Sequence, residues 1–311
     1  MQIYLPMAEM SLNLFMLLGM GLAVGLLSGM FGIGGGFILT PLLIFLGVPP
    51  ALAVGTGASH VVASSVSGAL GHWQRGNVDL HMGAFLIAGG LVGALAGAYM
   101  LALLKALGQV DLFVSLVYVI VLGVIGTLML IEALRTMHAL AQMPHPPLRH
   151  GSQHTWIQGL PLKQRFRTSR LYISAIPPVV IGVLVGWLTA IMGVGGGFLL
   201  VPALIYLLGM PTRIVIGTSV FQIVFVTAFT TVLQAVLNQS VDAMLAAPLM
   251  IGGVIGAHYG VEMGQRLKAE QLRGMLALLV IAVSIRMALG LVVTPLEPYS
   301  IDQAPAAADE P

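Results

Sequence analysis

Apolar positions in this chain come in long unbroken runs rather than at every second or every third to fourth residue. Runs of this kind lie at about 12–31, 51–72, 80–104, 112–134, 171–192, 214–237, 243–262 and 272–293. Crossing the ~30 Å hydrocarbon core of a bilayer takes about 20 mostly apolar residues, so each run predicts a full membrane helix. Two shorter runs, 37–46 and 198–208, follow the glycine clusters GIGGGF (32–37) and GVGGGF (193–198). The ten-residue alternation of an outer-membrane barrel is absent. The pattern predicts an all-α polytopic membrane protein with about eight full helices and two short broken ones.

The glycine clusters mark an internal repeat. GLLSGMFGIGGGFILTPLLIFL, from Gly25, overlays GWLTAIMGVGGGFLLVPALIYL, from Gly186, matching Phe37 with Phe198 and Pro41 with Pro202. Small insertions then bring Gly55-Thr56 onto Gly217-Thr218, His60 onto Gln222 and Val78-Asp79 onto Val241-Asp242. Gly89, Gly90, Gly93 and Gly97 likewise meet Gly252, Gly253, Gly256 and Gly260. The chain divides into an N-terminal tail (1–11), a first transmembrane repeat (12–134), a basic linker (135–170), a second transmembrane repeat (171–293) and a C-terminal tail (294–311).

Charge sets the expected orientation. Only 8% of residues are charged and 58% are hydrophobic, where a soluble domain carries roughly a quarter charged residues. The linker holds six Lys or Arg and no acid, and Lys and Arg accumulate on the cytoplasmic side. Five crossings per repeat place Arg75, Arg213, Arg266, Lys268 and Arg273 inside with the linker, leaving Lys105 outside and Arg286 within a helix. An odd number of crossings makes the repeats inverted, a common transporter plan with the substrate site at the midplane. Both termini are then outside. The Met1 end lacks the basic start of a cleaved signal peptide, so the first helix is expected to be retained.

Several chemistries are excluded or unsupported. The absence of cysteine rules out disulfides, thiolate metal sites and thiol relays. No G-x-x-x-x-G-K-[ST] motif occurs, which argues against direct ATP drive. The linker histidines His138, His145, His150 and His154 fit no metal-ligand spacing. No metal, cofactor or nucleic-acid partner is expected.

The glycines carry the functional expectation. Ten residues from Phe37 to Leu46 give a helix of only about 15 Å, which reaches halfway across. An extended Gly32–Gly36 at about 3.3 Å per residue would add about 16 Å, so the glycine run is predicted to be the unwound half of a broken crossing. Non-helical backbone at that depth is tolerated where it is enclosed in protein or lines a polar cavity. A helix starting near Phe37 would aim its free N–H groups, worth about half a positive charge, at the membrane centre. Its counterpart at Phe198 would do so from the opposite side. Two such ends balance roughly one negative charge without Lys or Arg, which points to a small-anion site. Scattered glycines such as Gly89, Gly93 and Gly97 are read instead as helix-packing positions.

The helix after each short run supplies a second wall. Thr56, Ser59, His60, Ser64 and Ser67 share one helical face, and Thr218, Gln222, Thr230 and Gln234 form a looser stripe. The candidate substrate-binding set is therefore Gly34, Gly35, Gly36, Phe37, Thr56, Ser59, His60, Gly195, Gly196, Gly197, Phe198, Thr218 and Gln222. His60 is the titratable member and a candidate for proton coupling, against the alternative of a neutral histidine bonded across helices. Arg286 is a candidate intramembrane charge, against the alternative that it snorkels outward.

With these motifs the chain resembles the sulfite exporter TauE/SafE family of membrane permeases. The resemblance rests on GLLSGMFGIGGGFILTPLL and GWLTAIMGVGGGFLLVPAL, each followed by a helix bearing Gly-Thr (VGTGAS, IGTSVF), and spans Leu12 to Val293. It implies a bacterial inner-membrane transporter, often an exporter, of small sulfur-containing or related organic anions such as sulfite, sulfoacetate or other sulfonates. It also implies a shared site at Gly34–Phe37 and Gly195–Phe198. Val220 and Phe221 replace Ala58 and Ser59 in the second copy, making that wall more apolar.

The expected function is secondary transport of a small anion, with protons as a candidate coupling ion and the lipid bilayer as the other partner. Alternating access would come from rocking the repeats about the glycine hinges; oligomeric state is left open. A passive channel or a membrane scaffold is the competing class. A remote third is an intramembrane serine protease using Ser28 and His60. GLLSG lacks the usual glycine two before the serine, and the second repeat has Thr189 and Gln222 there, so no enzymatic activity is expected.

Overall fold

The computed structural model describes residues 2–142, 161–166, 168, 169, 171–266 and 269–292. His145, His150, His154, Arg149, Lys268 and the C-terminal tail lie outside the described residues. Among the described residues are ten helices: α1 (Leu14–Phe31), α2 (Gly36–Phe45), α3 (Pro50–Gln74), α4 (Leu80–Ala106), α5 (Val110–Gln142), α6 (Ile176–Met192), α7 (Gly197–Tyr206), α8 (Thr212–Val236), α9 (Ala243–Arg266) and α10 (Ala269–Val292). Six of them, α1, α4, α5, α8, α9 and α10, are long and apolar enough to cross a membrane. The architecture is that of a helical polytopic membrane protein.

Two antiparallel hairpins accompany the helices: β1 (Gln2–Leu5) with β2 (Met10–Asn13), and β3 (Lys163–Phe166) with β4 (Leu171–Ser174). The apolar run from residue 171 is therefore strand before it is helix. Leu-Tyr-Ile suits a strand, and Pro177 and Pro178 are tolerated in a helix only at its first turn, so α6 starts at Ile176. The α1 start is fixed by Asn13, whose side chain accepts the Phe15 N–H at 3.0 Å, a helix N-cap. Each hairpin precedes the first helix of its half, at the spacing that separates Gly25 from Gly186. The repeat thus extends into segments that sequence alone assigns to tail and linker.

Close glycine contacts give the helix directions. A Cβ on Gly21, Gly25 or Gly29 would strike the backbone of Leu249, Gly253 or Ala257, so α1 and α9 run parallel. Gly89, Gly93 and Gly97 meet Val179, Val183 and Trp187 in the same order, so α4 and α6 run parallel. Small residues let helix backbones approach this closely. The central pair is opposed: Gly55 of α3 meets Ser240 beyond the end of α8, while Trp73 at the other end of α3 packs on Phe221, ring centroids 5.8 Å apart. Helices α5 and α10 are opposed as well, with Gly126 against Val280 and Ile281 and the Ser284 hydroxyl donating to Val119 O at 3.2 Å. Equivalent helices of the two halves therefore run in opposite directions.

The contacts also exchange one helix between halves. The first bundle comprises α1, α2 and α3 with α9 from the second half, closed at its end by β1–β2. There Leu5 is buried in one core with Leu17, Leu43 and Leu249. The second comprises α6, α7 and α8 with α4 from the first half, closed by β3–β4, where Phe166 is buried with Met82, Ile181 and Leu204. The end carrying β1–β2 is the N-terminal face, and the end carrying β3–β4 the linker face.

Candidate functional site

Helix α1 ends at Gly32, a left-handed C-cap (φ 67°) whose N–H bonds Ser28 O at 2.8 Å. Gly34 (φ 90°) and Gly35 (φ 66°) continue in the left-handed region, which residues with a Cβ rarely occupy. The chain folds back, so that a Cβ on Gly35 would lie 2.9 Å from the Ser28 side chain and 3.0 Å from that of Val24. This corrects the expectation of an extended glycine segment. Helix α1, at 18 residues, is about 27 Å long and all but spans the core unaided. The glycines have only to reverse the chain, and a compact turn does so. The second half repeats the turn with Gly193 (φ 67°), Gly195 (φ 78°) and Gly196 (φ 68°).

From these turns α2 and α7 start at mid-height. Gly36 packs on Val61, near the middle of α3, and Gly197 packs on Ile223, near the middle of α8. Each then runs ten residues outward, α2 to the N-terminal face and α7 to the linker face. The turns interlock: a Cβ on Gly36 would lie 2.6 Å from Gly193 O, and one on Gly197 would strike Ile33 O. The Phe37 and Phe198 rings meet at 6.0 Å. No side chain caps either helix N-terminus, so two partial positive charges converge on a neighbourhood without ionised groups among the described residues. The walls are Val61 and Ile223. Ser28 and Thr189, matched across the repeat, stand beside Gly35 and Gly196.

The structure brings together Gly34, Gly35, Gly36, Phe37, Gly195, Gly196, Gly197 and Phe198. It places the remaining candidates elsewhere. The Thr56 hydroxyl accepts the Asp242 N–H at 3.2 Å toward the N-terminal face, and that of Thr218 accepts the Asp79 N–H at 3.0 Å toward the linker face. Ser59 donates to Gly55 O within its own helix at 3.4 Å. His60 turns to the α1–α9 seam, Nε2 lying 3.4 Å from Gly21 O and beside Gly253, while Nδ1 has no partner. Gln222 turns to the matching seam beside Gly90, fully buried, and neither atom of its amide is hydrogen-bonded. Gly21 is two helical turns, about 10 Å, from Ser28, so a Ser28–His60 dyad is not assembled. The Arg286 guanidinium stacks on the Phe45 ring at 4.8 Å, at the end of α2 away from the turns.

Sequence reasoning aligned Asp79 with Asp242 but gave neither a role. Both are buried N-caps. Asp79 Oδ1 accepts the N–H groups of His81 and Met82, each at 3.1 Å, and Asp242 Oδ1 those of Met244 (2.9 Å) and Leu245 (3.3 Å). Their second oxygens hold the hairpins: among the described residues Asp79 Oδ2 accepts Ser169 N–H (2.9 Å) and Oγ–H (2.5 Å), while Asp242 Oδ2 accepts Met7 N–H at 3.4 Å. The signal was present, an acid directly ahead of an apolar run in both repeats.

This geometry defines a multi-pass membrane protein of two opposed halves, with broken helices meeting at its centre. The chain belongs to the sulfite exporter TauE/SafE family, whose model matches residues 17–287. It is 28% identical to the "Probable membrane transporter protein YjnA" of Bacillus subtilis, over 86% of this chain and 97% of that protein. It is 30% identical to a "Probable membrane transporter protein" of Xylella fastidiosa, over 88% of this chain and 94% of that one. A shorter match, 27% identical over 30% of this chain and 20% of the relative, is to "Sulfite exporter TauE/SafE family protein 3" of Arabidopsis thaliana. No solved structure matches. The chain is a membrane transporter of this family, acting on a small molecule in a lipid environment, and its place is the bacterial inner membrane.

Proposed function

We propose that the protein is a secondary transporter that carries a small anion, sulfite or an organic sulfonate, bound where the N-termini of α2 and α7 meet. One observation carries this reading: two uncapped helix ends, entering from opposite faces, converge at the height of Val61 and Ile223. Helix N-termini attract anions through free N–H groups and the helix dipole, and two together offset about one negative charge. A site without Lys or Arg binds weakly enough to release its cargo on the far side. With the basic linker in the cytoplasm, the N-terminal face is outside, and export runs from the linker face to the N-terminal face.

The repeats themselves are not the moving parts in this reading. Each bundle holds three helices of one half and the fourth of the other, so alternating access is a movement of the α1–α2–α3–α9 bundle against the α4–α6–α7–α8 bundle, with the α3–α8 contact between them. His60 and Gln222 face seams inside the bundles rather than the contact between them.

A thermal-shift screen of purified protein against sulfite, thiosulfate, sulfoacetate, taurine and simple carboxylates tests the ligand class. Saturating anion at about 100 times its Kd raises stability by about 2.7 kcal/mol. Stabilisation by a sulfur oxyanion that disappears in Gly36→Ala supports the site; stabilisation unchanged in Gly36→Ala and Gly197→Ala moves it elsewhere. Counterflow in proteoliposomes separates exchange by a carrier from flow through a channel.

A further inference from the structure

Openings lie on both sides of the glycine turns, and they are not alike. On the N-terminal face a vestibule of about 380 Å³ is lined by residues including Leu52, Lys105, Val110, Asp111 and Ser240. The Lys105 ammonium is held at its rim, donating to Asn238 O at 2.5 Å. On the other side a cavity of about 100 Å³ lies between the bundles, lined by Phe31 and Ile33 of the first and Val201, Pro202 and Ile216 of the second. Ile33 belongs to the glycine turn, so this cavity runs up to the proposed site.

The vestibule is stopped short of it. Val110, Val114 and Tyr118 follow one another on one face of α5 and are buried, leading inward from the vestibule wall. The Tyr118 hydroxyl donates to Met192 O, the last carbonyl of α6 before the second glycine turn. Thr40 of α2 stands beside that hydroxyl, and its own Oγ is buried with no hydrogen-bond partner. Gly57 leaves the space, since a Cβ there would lie 2.7 Å from Thr40 Oγ1. One phenol therefore sits across the line between the bundles, bonded to α6 and adjacent to α2.

The repeat supplies an internal control. Thr40 corresponds to Val201, Pro41 to Pro202 and Met192 to Phe31, so the cavity is the counterpart of the space that Tyr118 fills. The corresponding turn of α10, Leu279-Val280-Ile281, is aliphatic, and nothing there can bond the end of α1.

We propose that Tyr118 is the gate on the N-terminal side, closing the way from the Lys105 vestibule to the glycine turns, and that the Phe31–Ile33 cavity is the open approach from the linker side. This rests on the transport reading above. In the opposite state the Tyr118–Met192 bond breaks as the bundles part on the N-terminal side, and the cavity closes.

The chain has no cysteine, so single-cysteine reporters test the gate directly. Thr40→Cys reports on the space at Tyr118 and Val201→Cys on the cavity. Each is treated with a membrane-impermeant maleimide, from the N-terminal side and the linker side respectively. Val201→Cys is expected to react about tenfold faster than Thr40→Cys, and adding Tyr118→Phe should speed Thr40→Cys about fivefold and slow Val201→Cys, as a shift between two populations requires. Tyr118→Phe keeps the ring and its packing; Tyr118→Leu is the second variant and should likewise speed Thr40→Cys and slow Val201→Cys. Equal rates at the two reporters, or a Thr40→Cys rate that neither variant changes, overturns the proposal. Anion exchange is measured separately: correct labelling without exchange of any anion refutes the carrier reading and not the gate.

Discussion

Glycine is used in two regions of this molecule for different physical reasons. In the seams, Gly21, Gly25 and Gly29 lie in regular helix, and their only need is the absence of a side chain where the backbone of α9 arrives. In the turns, Gly34, Gly35, Gly195 and Gly196 also hold positive φ, and Gly36 and Gly197 bring two helix ends against one another's backbone. The seams bind helices into bundles, while the turns bring together the two helix N-termini on which the anion reading depends. Small residues spaced through a membrane helix therefore say little about function, whereas a cluster that forces the chain out of helix and back says a good deal.

The comparison breaks most visibly if the seams are not structural. Gly25→Leu should cost about 3 kcal/mol or more, since the side chain meets the backbone of Gly253 and overpacking of this kind is rarely relieved. Loss of monodisperse protein in detergent is the expected result, and a normal melting temperature would show the seam to be loose. Gly35→Ala comes next, at about 1–2 kcal/mol for a left-handed alanine plus its contact with Ser28. Here the protein should still purify, but anion-induced stabilisation should vanish. If both substitutions merely lower the melting temperature and binding survives, the distinction between the two glycine classes fails.

Smaller effects sharpen the picture at the bundle ends. Asp79→Asn should destabilise by about 1 kcal/mol, because it weakens charge-assisted bonds to a buried hairpin, and Asp242→Asn by less, since its hairpin bond is one at 3.4 Å. Equal melting shifts would contradict that ordering. The smallest effect is expected of His60→Gln, which gives the first half the residue of the second. Exchange and its dependence on pH should be nearly unchanged; loss of a pH-driven component would return His60 to the coupling mechanism.

Much of the fold was legible along the chain because a bilayer asks one question of each segment, whether it is apolar for long enough. The positions of α3, α4, α8 and α9 and the short α2 and α7 come from that and from the repeat. The hairpins were not legible, since four-residue strands in polar flanks carry no period that separates them from loop. Nor was the compact form of the turn, because Gly-Ile-Gly-Gly-Gly allows both extended and left-handed backbone and only the length already covered by α1 decides between them. His60 and Thr56 read as one wall with the glycines, being four residues apart on a helix. In the folded protein that face meets α1 and α9, and Val61, one position further on, meets the turns.

The amino-acid order alone determined that this chain lives in a bilayer, that its halves are copies, and that each copy is broken by glycine at the same place. These are local properties, set by transfer of side chains to hydrocarbon and by the φ angles a residue tolerates. Only the tertiary structure decided that α4 and α9 change places between the halves, that Asp79 and Asp242 fasten the hairpins, and that Tyr118 fills on one side what is left empty on the other. Those outcomes depend on which surfaces meet, and close packing between segments far apart in the chain leaves no periodic trace in either one.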